Sequence, residues 1–171
     1  MKILKTPFKG LIIIENQRFI DNRGHFRELL VEKDIKKKFP FNVFSVSKKN
    51  VIRGLHYQKR NPQGKFISVI KGKILDVVVD LRKNSKTFGK HYTTFLSEKN
   101  CKSIFIPPGF AHGFSCHDKI NIVIYSCTKY RDKNSEHGIS WNDKSLKINW
   151  KIKKPIISKK DKKNPKFKDR I

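Results

Sequence analysis

The residues best suited to chemistry lie in one short stretch, Arg-Gly-Leu-His-Tyr-Gln at 53–58, followed by Pro-Gln-Gly-Lys at 62–65. An arginine, a histidine and a lysine so close together admit two readings. The first is a surface strand with its charged residues in water. The second is a base beside an anion-binding group, because imidazole titrates near working pH and accepts protons there. A further histidine, His112, sits in Ile-Pro-Pro-Gly-Phe-Ala-His-Gly-Phe (106–114). There a Pro-Gly turn precedes it, and its small and aromatic neighbours suit a crowded pocket wall.

Histidines on strands invite a metal, and the spacing argues against one. A metal-binding barrel of this kind needs a His-x-His pair with a carboxylate, plus a third histidine. This chain has His-Tyr-Gln at 56–58, so Gln58 stands where the second histidine would be, and no acid follows before Gly72. His56 and His112 alone are too few ligands, and His25, His91, His117 and His137 show no paired spacing. The expectation is no metal and no cofactor.

The elements that must position these residues read as short strands. Residues 11–14, 26–31, 43–47, 66–70, 74–81, 92–96, 103–107 and 121–128 are rich in Val, Ile, Phe and Thr. Turn signals such as Asp-Asn-Arg-Gly, Lys-Gly-Lys and Pro-Pro-Gly separate them, which predicts an all-β sandwich or barrel. One helix is predicted over 32–39, ended by Pro40. The last twenty or so residues are expected to run as an extended tail or short helix over the barrel, whose mouth would hold one small ligand.

At 171 residues the chain is expected to form a single domain, 1–171. No apolar run approaches the ~18 residues needed to span a bilayer, and the N-terminal residues lack signal-peptide character, so a cytoplasmic protein without a membrane partner is expected. Cys101, Cys116 and Cys127 have no paired spacing and read as reduced, packed thiols. The formal net charge is +26. Such a field attracts anions. Yet the lysines are scattered, they outnumber arginines, and no nucleic-acid-binding motif is present, so nucleic acid is an unlikely partner.

Eight segments in order resemble the dTDP-4-dehydrorhamnose 3,5-epimerase family: 21–28 (DNRGHFRE), 48–58 (KKNVIRGLHYQ), 62–65 (PQGK), 77–89, 106–114, 125–130 (YSCTKY), 138–143 (GISWND) and 148–165. The resemblance implies a cupin-like β jelly roll, or double-stranded β-helix, with a few short helices and a C-terminal tail packed over the barrel. It implies a nucleoside diphosphate 4-keto-6-deoxy-hexose as substrate, with carbons 3 and 5 inverted through an enolate. It makes His56 the base, Asp161 its orienting partner, Lys65 the enolate stabiliser and Tyr125 the proton donor on the other face, with Tyr130 a competing candidate. It sets Arg53 at the diphosphate and His112 near the sugar, and adds Gln58 and Arg131 to the ligand contacts. Arg23, Phe26 and Glu28 are expected to contact nucleotide partly across a homodimer interface, through an exchanged N-terminal strand.

Two departures touch ligand contacts. Where many relatives carry Gln and Asn, this chain has Phe41 and Val43, with Asn42 between them, and where they carry paired tyrosines it has Tyr130 followed by Arg131. These leave two alternatives open: a mono-epimerase of another nucleotide sugar, and a non-catalytic cupin that binds a polyanionic ligand.

Overall fold

The β-rich runs fold as strands in the computed structural model, which describes residues 2–170. β1 (Lys2–Lys5) and β2 (Ile12–Glu15) are followed by a small hairpin of β3 (Phe19–Asp21) and β4 (Gly24–Phe26). A one-turn helix, α1 (Glu32–Ile35), leads to β5 (Phe41–Lys48), β6 (Val51–Gln58), β7 (Lys65–Lys71) and β8 (Lys73–Asp80). The chain continues through β9 (His91–Ser97), β10 (Lys102–Ile106), β11 (Phe110–Cys116) and β12 (Ile120–Cys127). β13 (Glu136–Gly138), β14 (Ile156–Ile157) and a second one-turn helix, α2 (Lys159–Lys162), follow. Among the described residues no helix is long and apolar enough to cross a membrane.

Two sheets face each other as the expected jelly roll. One has the order β1-β2-β10-β7-β12-β5, and the other β13-β6-β11-β8-β9, with β14 running parallel beside β6. Between them lies a core that includes Ile67, Val69, Ile74, Val78, Ile104, Ile106, Phe114 and Val123. A second cluster, with Leu55, Leu75, Val77, Val79, Ile139, Leu146, Trp150 and Phe167, covers the outer face of the second sheet with the C-terminal segment. That explains why β8 reads as a nearly unbroken apolar run. Its odd-numbered residues face the tail and its even-numbered ones the interior, so both faces are buried. The three cysteines are free and buried.

Two predicted elements form differently. Residues 27–31 are not a strand: the Asn16 side chain donates to the backbone oxygens of Glu28 and Leu29, so a side-chain amide holds this segment in place of a ladder. The helix predicted over 32–39 stops at Ile35, and Lys36 turns left-handed (φ 55°). The Glu32 carboxylate accepts the backbone N–H of Phe39 at 2.9 Å, and Phe39 packs against Phe66 and Phe105. Burying that ring on the first sheet outweighs another turn of a short, weakly nucleated helix.

Asp80, at the end of β8, is fully buried. Its carboxylate accepts from both Nε and Nη2 of Arg82 and from the hydroxyls of Ser85 and Thr87. Burial alone would raise its pKa, but these four donors hold it well below the usual carboxylate range. Arg82 in turn lies over the Phe110 ring at 4.3 Å. Asp80→Asn is expected to cost about 3 kcal/mol, because it strands a guanidinium in a largely buried setting. Urea unfolding measures this, and a loss under 1 kcal/mol (roughly one neutral hydrogen bond) would show that the cluster is not stabilising.

Candidate active site

β6 brings Arg53 and His56 to one wall by departing from a regular strand. Residues three apart on a period-two strand point to opposite faces. Here the two-residue step from His112 to Phe114 on β11 is matched by three residues, His56 to Arg53, on β6. The extra residue is a bulge that returns both side chains to the same side. It requires glycines: Gly54 has φ +128°, and a Cβ on it would sit 2.5 Å from the Cα of Gly113. Past the bulge, His56 and His112 are direct cross-strand partners and share a face.

The C-terminal segment supplies the partner of His56. α2 is capped by Ser158, whose hydroxyl accepts the backbone N–H of Asp161 at 3.0 Å. The buried Asp161 carboxylate meets His56 Nε2 at 2.6 Å through Oδ1, and accepts the Gly54 backbone N–H at 3.3 Å through Oδ2. Burial would raise this carboxyl, yet the hydrogen bond and charge of His56, the Gly54 N–H and Ser158 hold it below the ordinary value. With Nε2 engaged by Asp161, Nδ1 is the ring nitrogen left to accept a proton. The His56 side chain is 39% exposed and Asp161 5%, so the ring faces the mouth and its partner lies behind it.

Beside this pair is another. His112 Nε2 lies 2.7 Å from Asp76 Oδ2, with both side chains buried. Asp76 is a site residue that the pattern reading missed, although a carboxylate inside the run Ile-Leu-Asp-Val-Val-Val was a signal of it. The opposite wall belongs to the first sheet. Tyr125 on β12 lies edge-on to His112 at 6.3 Å between centroids, and its hydroxyl is 3.3 Å from that of Ser45 on β5. Burial raises its phenol well above the ordinary tyrosine value. Two residues along the same face, Cys127 pairs with Lys65 on β7. Burial pulls the Lys65 ammonium below the usual lysine value, against the nearby Cys127, Glu136 and Asp76.

Arg53 bridges the walls: its Nε donates to the Ser47 hydroxyl at 2.9 Å and its Nη2 to the Val46 carbonyl at 3.2 Å, both on β5. The departures lie in the same row, since Val43 pairs with Tyr125 and Phe41 with Cys127. Tyr130 is 69% exposed, and its ring lies tilted against Phe41 with centroids 6.1 Å apart. Gln58 is buried, and its amide holds loops, donating to the Asn61 carbonyl and accepting from the Asp132 N–H. Arg131 pairs with Glu136 through Nε and Nη2. Arg23, Phe26 and Glu28 lie on or beside the exposed hairpin. Arg23 pairs with Asp21, and among the described residues no hydrogen bond or ion pair joins their side chains to the pocket. No cluster of three or more His, Cys, Asp or Glu among the described residues could hold a metal ion.

The molecule is a cupin-like jelly roll with a histidine–aspartate pair on one wall and a tyrosine and a lysine on the other. A family model described as dTDP-4-dehydrorhamnose 3,5-epimerase matches residues 5–169. The dTDP-4-dehydrorhamnose 3,5-epimerase of Methanothermobacter thermautotrophicus is 41% identical over 168 residues, covering 94% of this chain and 91% of its own. The crystal structure of the Elizabethkingia anophelis enzyme of that name superposes with a TM-score of 0.93 at 41% identity, over 99% of this chain and 98% of that one. An epimerase from Legionella pneumophila, solved with dTDP-4-keto-L-rhamnose, gives 0.92 at 37% identity, over 96% and 92%. The chain belongs to the dTDP-4-dehydrorhamnose 3,5-epimerase family.

Proposed function

We propose that the protein converts dTDP-4-dehydro-6-deoxy-D-glucose to dTDP-4-dehydro-L-rhamnose by inverting carbons 3 and 5. The observation that carries this reading is the His56–Asp161 pair on one sheet beside its cross-strand neighbour His112, whose ring meets Tyr125 of the other sheet. The 4-keto group acidifies the C–H bonds on either side of it. His56 takes a proton through Nδ1, and Asp161 fixes the tautomer and stabilises the imidazolium. The electron pair moves onto the keto oxygen, where the Lys65 ammonium compensates the enolate charge. Tyr125 returns a proton to the opposite face; its phenolate is then reprotonated from solvent and the His56 imidazolium releases its proton to solvent, which resets both groups. The phenol is protonated at working pH, as a donor must be, and burial makes it a weaker acid than free tyrosine, so it gives up its proton only to a strongly basic enolate carbon. Arg53 offers its guanidinium to the diphosphate, and His112, held by Asp76, presents a fixed edge to the sugar.

We place this chemistry in one domain, 1–171, of a cytoplasmic homodimer. The exposed hairpin residues Phe19, Ile20 and Phe26 and the apolar edge strand β5, with Phe44 70% and Val46 55% exposed, support a partner copy covering them. Exchange of the N-terminal strand would carry Arg23, Phe26 and Glu28 to the partner's mouth. A second reading, inversion at one carbon or another nucleotide sugar, is favoured by the apolar row of Phe41 and Val43 beside Tyr125. Incubation with the keto sugar in deuterium oxide decides. Label at both carbons in an L-rhamno product supports the first reading, label at one carbon the second, and none with a panel of 4-keto sugars would sink both.

Asp161→Asn is expected to lower kcat about 100-fold, less than loss of the imidazole itself, because the ring is present but poorly held. The same variant tests stability. A depressed folded-state pKa means that the Asp161 attachment is at full strength above the ordinary aspartate value near 4 and fades as pH falls through the lowered one. The difference in urea midpoint between wild type and variant should therefore shrink on acidification. A difference that grows instead would contradict the assigned direction.

A further inference from the structure

α2 is a single turn of four residues, too short to hold itself in place. Its cap, the two-residue β14 and the Asp161 carboxylate fasten it to β6 and to its own segment. One attachment reaches elsewhere: Lys160 Nζ lies 3.2 Å from Glu136 Oε2. Glu136 opens β13, two residues before the partner of His56, and the same carboxylate accepts Arg131 Nε at 2.6 Å and Nη2 at 2.9 Å. One acid in a strongly basic protein thus joins the loop at 131 to the residue next to Asp161. The hydrogen bond from Arg131, opposed by burial and helped by Lys160, pushes its pKa down to about 2, so the clasp is ionised at any working pH.

We infer that Glu136 is a positioning residue for the proton-transfer pair: by clasping Lys160 to Arg131 it holds α2, and therefore Asp161, behind His56. This rests on the reading of His56 as the base. The clasp has a second consequence. Glu136 also occupies the Arg131 guanidinium through two hydrogen bonds and so neutralises a cation that an anionic substrate would otherwise meet. The carboxylate therefore opposes anion binding while it supports turnover, and its removal should move the two in opposite directions.

The test is Glu136→Gln, Lys160→Gln and the double variant. For Glu136→Gln, kcat is expected to fall about tenfold, as a small misplacement of Asp161 would cause, while dTDP binds a few-fold more tightly by calorimetry. The double variant should lose no more kcat than Glu136→Gln alone, since the Lys160 contact is already broken in that variant. Unchanged kcat in both singles, multiplying losses, or dTDP affinity falling together with kcat would each overturn the inference. Amide hydrogen exchange at Asp161 and Lys162, expected to quicken in every variant, reads the clasp without turnover. A wild-type enzyme inert toward keto sugars would sink the catalytic reading while leaving this second readout to decide the clasp, and unchanged exchange would overturn it.

Discussion

Replacing His56 by asparagine is expected to lower epimerisation by at least about 10³-fold and to erase deuterium wash-in at both carbons. Asparagine keeps an N–H able to approach Asp161, so the buried carboxylate is not stranded as it would be beside alanine. The ring is also part-exposed at the mouth, not part of either packed core. Circular dichroism and dTDP binding should therefore match wild type, and the loss should fall on kcat. Turnover within a few-fold of wild type would remove His56 as the base and leave His112, the neighbouring imidazole, as the group to test.

Tyr125→Phe should separate exchange from inversion. His56 can remove a proton, trade it with solvent and return deuterium to the same face without the phenol. Delivery to the other face is assigned to Tyr125, whose ring packs on His112 and Phe114 and whose hydroxyl is far more acidic than that of its hydrogen-bonding partner Ser45. The variant is therefore expected to incorporate label at no less than a tenth of the wild-type rate while forming inverted product about 10²-fold more slowly. The fold should be untouched, because only a 3.3 Å hydroxyl contact is lost. Equal falls in exchange and inversion would mean that Tyr125 organises the pocket and does not deliver the proton.

Much of this was legible in the chain. Punctuated runs of β-branched and aromatic residues gave most strands, since period-two burial writes itself into composition. The segments holding His56, Lys65 and Tyr125 could be matched to a family by their spacing, and Asp161 by its place in the tail. What was hidden depends on three-dimensional pairing. The stretch 27–31 has strand composition, but its backbone answers to the Asn16 amide. The predicted helix had good residues and lost its second half to the burial of Phe39. No periodicity argument places Arg53 and His56 on one wall, because the bulge that does so breaks the period. Gln58 looked like a ligand contact from its neighbours, and only its partners reveal an amide occupied by two loops. Glu136 carried no motif at all, and its importance comes from which cations surround it.

The bond between His56 and Asp161 spans 105 residues of sequence. During synthesis the strand that carries the imidazole emerges long before the turn that orients it. A chain released early, or clipped ahead of residue 161, would have its barrel strands but an unsteadied ring. Activity toward keto sugars is then expected to rise sharply only once synthesis has passed residue 161, and shorter products should scramble the stereochemistry of sugar nucleotides far more slowly.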